Sequence, residues 1–587
     1  MYLNCRIRIP DTGGKISVKT IDGTPYVYIE RGRTYNKEKQ YTEPKRTCIG
    51  KRDKEQPAFM YPNEKFLKFF PRELLPIEKD TQFRSGCLHI GAYIVIRKII
   101  SDYHLDEMIG RIIGQDAGLF LDLAAYSIIT EDNAGQYYPD YAYNHALFTE
   151  NMHIYSDSKV SDFLQHVTVD QRIKFLNEWN AKRDHREKIY ISYDATDKIS
   201  QAGDIDMVEL GHSKNDKEED IFNYSIAYDR DNREPLYYEA YPGSIADVSQ
   251  LQITLKKAKS YGYEHIGFIL DRGYFCKENI EFMDENGYDF VLMVKGMKAL
   301  VSEIVLEVQG KFENDRKNSI RAFKVSGITV KRKLYATDKK ERYFHIYYDD
   351  GRKARDRESF EDKIDRMHNL LKKCMGEAVH PKGEYEKYFD LIFWHPGQED
   401  EKFMSCAEKI GIINRQIKLC GYFVIVTSAK MTAEEALILY KSRDGSEKTF
   451  RGDKSYLGAR AERVYSNESI DTKIFIGFVA TIIRSRMYVL LTEEVARMEK
   501  KQNYMTVPAA LKELEKIEML KGADNEYNLD YAVTATQKAI LKAFDMTAEN
   551  IHNQARDISS DLLRIEMEAI EAEAVKRKAK LEGSMQQ

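Results

Sequence analysis

Two aspartates and one glutamate are the residues whose types and spacing could do phosphoryl chemistry. Asp194 closes the β-branched and aromatic run Lys188-Ile-Tyr-Ile-Ser-Tyr-Asp194, and Asp271 follows the apolar run His265-Ile-Gly-Phe-Ile-Leu270. Each is read as lying at the C-terminal end of a strand, where acids in α/β sheets often hold a metal or a ligand. Taken singly, a turn or helix-capping role is the commoner explanation. A helix predicted over 433–456 changes the balance. It opens with the capping-box pattern Thr432-Ala-Glu-Glu435. At 100° per residue, Tyr440, Arg443, Glu447, Arg451 and Lys454 fall within an arc of about 80°. A solvated face would also be charged, but a carboxylate among cations and one aromatic suits a site holding metal and polyanion together. Asp194, Asp271 and Glu447 make a set of hard oxygen donors suited to magnesium or manganese. Two such ions about 4 Å apart can activate water and stabilise the leaving oxygen of an in-line phosphoryl transfer. The neighbouring cations would clamp phosphates, and Tyr440 would stack on a base or hydrogen-bond a phosphate.

The elements around these residues predict their placement. Strands are expected at 188–194, 221–228, 236–241, 265–270 and 290–294, with helices at 247–261 and 277–286. A three-strand meander followed by crossover units makes a mixed sheet flanked by helices. Residues 297–420 read as an insertion, with strands at 330–335, 343–348 and 389–393 and a helix over 354–375. Tyr422-Phe-Val-Ile-Val-Thr427 reads as the return to the sheet. The domains expected are therefore a basic β-rich module over 1–75, a helical region over 76–185, a catalytic core split into 186–296 and 421–497 around the insertion, and a helical tail over 498–587. Residues 1–60 carry 13 Lys or Arg against 7 Asp or Glu, interleaved with Tyr26, Tyr28, Tyr35 and Tyr41. A DNA-contacting module and a solvated basic loop both fit. The helical region is read as DNA-binding, with a packing role as the alternative. In the tail, Ile551, Ala555, Ile558, Leu562, Ile565 and Ala569 form a heptad seam that pairs with another chain or packs on its own domain.

Further motifs bring a family into view. Tyr440-Lys-Ser-Arg443-Asp-Gly-Ser-Glu447-Lys-Thr-Phe-Arg-Gly-Asp-Lys454 has the form Tyr-x2-Arg-x3-Glu-x6-Lys. Tyr193-Asp194-Ala-Thr196-Asp197 and Leu270-Asp271-Arg272-Gly273-Tyr274 are similar to first- and second-aspartate motifs, and Gly211-His212-Ser213-Lys214 and Pro242-Gly243-Ser244 match segments between them. Over roughly 185–495 the sequence resembles a DDE transposase of the bacterial insertion-sequence type, in the subgroup carrying that Tyr-Arg-Glu-Lys signature. The resemblance implies an α/β, ribonuclease-H-like mixed sheet flanked by helices, with a β-containing insertion between the second aspartate and the glutamate. It implies that Asp194, Asp271 and Glu447 are catalytic and ligate two magnesium ions, with manganese able to substitute. Tyr440, Arg443 and Lys454 would contact DNA near the cleaved end, with Arg451 on the same stripe. The reaction would be nicking at the element ends and then strand transfer by the freed 3′-hydroxyl. The partners would be terminal inverted repeats and target DNA, held by a homodimer. One departure stands out. Many relatives have Trp and an aliphatic residue where this chain has Asp444-Gly445-Ser446, and a helical glycine costs about 1 kcal/mol relative to alanine.

Composition bounds the remaining classes. The chain has 587 residues, 43% apolar and 31% charged, with 90 Lys or Arg against 94 Asp or Glu and a net charge of −4. Its length predicts three to five units, and the charge balance excludes a histone-like or acidic-tail protein. No apolar run is expected to reach the ~18 residues of a membrane span, and the N-terminus lacks a signal-peptide core. Seven dispersed cysteines without a Cys-x-x-Cys pair fit a reducing cytosol, here a bacterial one with the protein at the nucleoid, and no zinc ribbon. Trp179 and Trp394 are expected to fill cores. Two alternatives to a transposase stay open: a DNA-binding protein of transposase descent that no longer cuts, and a metal-dependent nuclease without strand transfer.

Overall fold

The computed structural model describes the chain except residues 1, 3–5, 14, 22, 38–39, 55, 72–83, 183–186, 201–204, 213–217, 246, 296–297, 399–400, 444–456, 458–460, 499–501, 523–524 and 586–587, together with the side chains of 212, 247–248, 298, 461 and 569–585. It forms two compact units, Met1–Ser85 and Gly86–Gln587.

The first unit is an antiparallel sheet of β1 (Ile7–Arg8), β2 (Ile16–Ile21), β3 (Thr24–Asn36), β4 (Tyr41–Arg52) and β5 (Phe59–Pro62), in the order β1-β5-β4-β3-β2. Alternation in Tyr26-Val-Tyr-Ile29 turns Val27 and Ile29 to one side, where they meet Ile49, Met60 and Phe66.

The second unit contains β6 (Cys87–His89), which joins β20 (Glu518–Lys521) and β21 (Tyr527–Leu529) in a small sheet. Among the described residues the main sheet has eleven strands: β7 (Ile189–Ser200), β8 (Glu209–His212), β9 (Glu218–Asp229), β10 (Glu234–Pro242), β11 (Ile266–Leu270), β12 (Asp289–Met293), β13 (Ser319–Ile320), β14 (Val325–Arg332), β15 (Arg342–Tyr348), β18 (Tyr422–Thr427) and β19 (Ala461–Glu462). Its path runs β10-β9-β7-β11-β12-β18-β15-β14-β13, with β8 on β9 and β19 on β7. β7, β11 and β12 are parallel, and the other pairings along the path are antiparallel. Helix α1 (Asp247–Ser260) lies between β10 and β11, and helix α2 (Lys277–Glu285) between β11 and β12. The architecture is thus mixed α/β.

Alternation sorts the sheet's side chains into two layers. Ile191, Tyr193, Phe268, Leu270, Phe290 and Leu292 join the large core that also holds Leu251, Leu255, Ile280 and Met283 of α1 and α2. On the opposite face, Ile269, Val291, Ile425 and Tyr347 pack with Ala433, Leu437 and Tyr440 of helix α3 (Ala433–Lys441). Further along that face, Tyr238 of β10 packs against Phe478 of helix α4 (Asn467–Arg497), with ring centroids 4.9 Å apart and tilted by 43°.

Several expectations change. β7 does not stop at Asp194. It runs on to Ser200 because β9 continues alongside it, with Ile199 opposite Ile221, and β19 adds to its far end. Within the helical region expected over 76–185, helices Asp157–His166 and Val169–Ala181 are separate, because Thr168 and Gln171 form a capping box that starts the second. Strands β13 to β15 of the expected insertion extend the main sheet through β15 and β18. The rest of that segment, helix Asp350–Lys373 with the hairpin β16 (Phe389–Trp394) and β17 (Lys402–Glu408), has its own core of Ile364, Met367, Leu371, Phe389 and Phe403. Trp394 ends that hairpin strand and is 55% exposed, whereas Trp179 is fully buried and donates to Pro235 O at 2.8 Å.

Two helical stretches, 105–130 and Asn467–Arg497, are long and apolar enough to cross a membrane by length and composition. This corrects the expectation that no run is so long. Their most apolar windows are 61% and 78% buried inside the protein, as befits helices wrapped by other elements. In the tail, Ile551, Ala555, Ile558 and Leu562 are buried within the unit's own core. The seam therefore packs at home over its first turns, and each Ile or Leu contributes roughly 1.5–3 kcal/mol by burial.

Candidate active site

The parallel register of β7 and β11 places Leu270 beside Tyr193. One residue further on, Asp271 comes alongside Asp194, on strands about 4.8 Å apart. Tyr193 and Leu270 face the α1–α2 layer, so alternation turns both aspartates to the other face. There they lie between the strands covered by α3 and those covered by α4. Asp197 is three residues from Asp194 on the same strand and therefore faces the opposite layer.

Asp194 is half-buried, and its Oδ1 accepts the Ala195 N–H at 2.9 Å. Asp271 caps the single 3-10 turn Arg272–Tyr274, with its Oδ1 accepting the Arg272 N–H at 2.7 Å. Arg443 donates its Nη1 to Asp271 Oδ1, also at 2.7 Å. Burial pushes the Asp271 carboxyl up. The Arg443 hydrogen bond and charge, with the Arg272 N–H, outweigh that and hold it below its usual value.

Helix α3 ends at Lys441, and Arg443 lies in the turn beyond it. The Ser442 hydroxyl donates to Leu439 O at 2.6 Å, occupying one of the carbonyls that a helix end leaves open. Of the helix expected over 433–456, the described part thus ends at Lys441, before Arg443, and 444–456 lie outside the described residues. Tyr440 is 6% exposed and packed with Ile269 and Leu437, and Arg443 lies over its ring at 5.4 Å. Asp194, Asp271, Tyr440 and Arg443 are therefore brought to one region. Glu447, Arg451 and Lys454 lie outside the described residues.

Two carboxylates aligned on one face supply hard oxygen donors of the kind magnesium takes. Among the described residues no group of three His, Cys, Asp or Glu is placed to hold a metal, so a third protein ligand would have to come from outside them. Arg443 provides the positive charge that Asp271 faces.

Other residues support the site and are not apparent from motif spacing. Glu462 of β19 is buried, with Lys198 and Lys473 each 3.6 Å from its carboxylate and Asn133 Nδ2 donating to it at 3.1 Å. This cluster ties β19 to the end of the strand that carries Asp194. The alternation Asp194, Thr196, Lys198, Ser200 is its one trace in the sequence. Asn223 donates to the carbonyls of Pro242, Gly243 and Ile245 at 3.0–3.3 Å and holds the turn after β10. Gly243 is required there, because a Cβ would come 2.3 Å from Ile221 O.

No curated protein matches the chain. A solved structure, "Cryo-EM structure of piggyBac transposase synaptic complex with hairpin DNA", is similar at 8% identity over 69% of this chain and 63% of that chain, with a TM-score of 0.30. The chain thus spans less than two thirds of that protein. Residues 194–483 match the family model described as Transposase DDE domain. That segment opens on Asp194 and includes Asp271, and the match supports a DDE transposase.

Proposed function

We propose that the protein is a DNA transposase that cleaves at the ends of an insertion sequence and joins the freed ends to target DNA. The observation that carries this reading is the pair Asp194 and Asp271, side by side on adjacent parallel strands within the matched segment. The order β10-β9-β7-β11-β12, with an antiparallel meander feeding parallel strands, supports a ribonuclease-H-like core extended by β18, β15, β14 and β13. Asp194 and Asp271, with Glu447 as the third carboxylate, would hold two magnesium ions, and manganese could replace them. When bound, the metals supply an activated water or 3′-hydroxyl and charge stabilisation on the leaving oxygen.

This chain's own residues orient and neutralise. Sheet register fixes the two aspartates relative to each other. Arg443 offsets Asp271 at rest and is placed to transfer its hydrogen bonds to a scissile phosphate, as a planar guanidinium does well. Tyr440 backs Arg443 with its ring face, which favours a cation held there. Arg451 and Lys454 would add DNA contacts, and a homodimer would hold both element ends and the target in the nucleoid of a bacterial cell.

The test uses purified full-length protein and DNA from the borders of its own element, with magnesium. Asp194→Asn and Asp271→Asn should each abolish nicking and end joining while DNA binding persists. Nicking that survives both changes refutes the proposal. Nicking without joining of a pre-cut end would identify a nuclease instead.

A further inference from the structure

The N-terminal unit has a feature that the catalytic reading does not use. β2 pairs with β3 only from Thr24 to Ile29, and β5 pairs with β4 only from Gly50 to Arg52. Beyond those limits, 31–36 and 41–46 pair only with each other among the described residues. They form a two-stranded ribbon about 20 Å long at ~3.3 Å per residue. Both faces are wet: Arg31, Arg33, Thr34, Tyr35, Tyr41, Thr42, Lys45 and Arg46 are exposed. Tyr35 and Tyr41 are 59% and 51% exposed, high for aromatic side chains. Residues 24–52 carry eight Lys or Arg against three Asp or Glu. Two of those acids are engaged locally: Glu30 with Arg33 at 2.9 Å, and Glu43 with the Tyr41 hydroxyl at 2.8 Å.

The edges of the ribbon weigh against a protein partner that adds a strand. Pro44 lacks an N–H, and Lys45 follows it; this pairing of residues keeps an edge from recruiting another strand. Irregular register at Glu30/Gly32, at the base of the ribbon, increases its right-handed twist. A basic, twisted, two-stranded ribbon has the dimensions that the B-DNA major groove admits, about 12 Å wide and 8.5 Å deep.

We propose that this β3–β4 ribbon is a DNA-binding arm that enters the major groove of duplex DNA, with Arg33, Lys45 and Arg46 on phosphates or base edges and Tyr35 against the groove wall. The inference rests on the DNA-acting function proposed above and adds the binding element and the groove. The experiment measures binding of the full chain to a labelled 40-bp random-sequence DNA duplex across a salt series, with an RNA duplex of equal length as competitor. Each phosphate contact contributes about −0.9 to the slope of log K against log salt. The triple variant Arg33→Ala, Lys45→Ala, Arg46→Ala should therefore flatten the slope by about 2–3 and weaken binding at least tenfold, while Arg33→Lys with Arg46→Lys keeps the slope. Tyr35→Ala should weaken binding with the slope unchanged. The circular dichroism melt should be that of the parent, because the altered side chains are exposed. RNA should compete poorly, since the A-form major groove is too deep and narrow to enter. A triple variant with parental slope and affinity, or RNA competing as well as DNA, overturns the proposal. If that variant binds and cleaves like the parent, only the ribbon is refuted. If the parent itself binds no DNA, the proposed function fails with it.

Discussion

Glu462 is the residue whose removal has the largest worked consequence. One buried carboxylate there faces two buried ammonium groups, Lys198 and Lys473, each at 3.6 Å. Lys198 also lies over the Tyr224 ring at 4.3 Å, and Asn133 completes the carboxylate's hydrogen bonding. Glu462→Gln keeps the shape and deletes the charge, leaving two cations in a low-dielectric site. Breaking a buried pair by removing one partner costs about 3–5 kcal/mol. Unfolding entropy of about 2.1 cal/mol/K per residue gives roughly 1 kcal/mol/K for a unit of about 500 residues, so Tm should fall by about 3–5 °C. The pH dependence sharpens the test. Burial holds Lys473 below its ordinary value, and Glu462 opposes that fall; without Glu462 the fall deepens. A lysine depressed in the folded state binds fewer protons there than in the unfolded chain, so stability rises with pH through the window below the ordinary lysine value. The deficit of the variant should therefore shrink between about pH 7 and pH 9.5 in thermal melts followed by circular dichroism. Replacing all three charges together (Lys198→Met, Glu462→Leu, Lys473→Met) should recover much of the loss. A Tm change under about 1 °C in Glu462→Gln, or a deficit that stays constant with pH, refutes the reasoning.

Three other outcomes are expected. Arg443→Ala removes the largest of the interactions that hold Asp271 down, leaving the Arg272 N–H and charge against burial, so the Asp271 carboxyl should titrate higher than in the parent in a carbon-13 NMR titration; an unchanged titration would show that the ion pair does not form in solution. His345 is fully buried, and burial lowers its pKa to about 4. Thr427 donates to Ala429 O and so accepts from His345 Nε2, while Thr329 lies 2.9 Å from Nδ1, an arrangement that suits the neutral ring. Its folded value lies below its unfolded one, so stability is present above about pH 6.5 and lost as pH falls toward 4, by about 3 kcal/mol in all; His345→Leu should flatten that acid-side decline in Tm. Gly243→Ala forces a Cβ to 2.3 Å from Ile221 O and should cost about 1–3 kcal/mol, read as a lower melting temperature.

Much of the main sheet is legible in the sequence because its strands are short, apolar and bounded by turn residues. Tyr422–Thr427 is found to the residue, and Ile266–Leu270 and Asp289–Met293 lie within one residue of expectation. Helices α1 and α2 follow from apolar spacing in the same way. These are local properties: a period of two or of 3.6 is set by neighbours in the chain. The placement of Asp271 just after an apolar strand is also local, and it is seen as expected.

What only the tertiary structure decided depends on partners far along the chain. Thr196, Lys198 and Ser200 lie beyond the strand expected at 188–194, yet they form strand because β9 and β19 pair with this stretch and Glu462, 262 positions after Ser200, neutralises Lys198. The adjacency of Asp194 and Asp271 comes from parallel register, which no spacing within either strand encodes. Arg443 reaches Asp271 from beyond the end of α3, and Tyr440 turns inward because Ile269 and Leu437 offer it a core. Strands β13 to β15 join the main sheet because β18 presents an open edge to β15. A local pattern can specify which face of an element is apolar. Which buried charge meets which counter-charge is settled only when the chain has closed on itself, because an unpaired buried charge is too costly to remain.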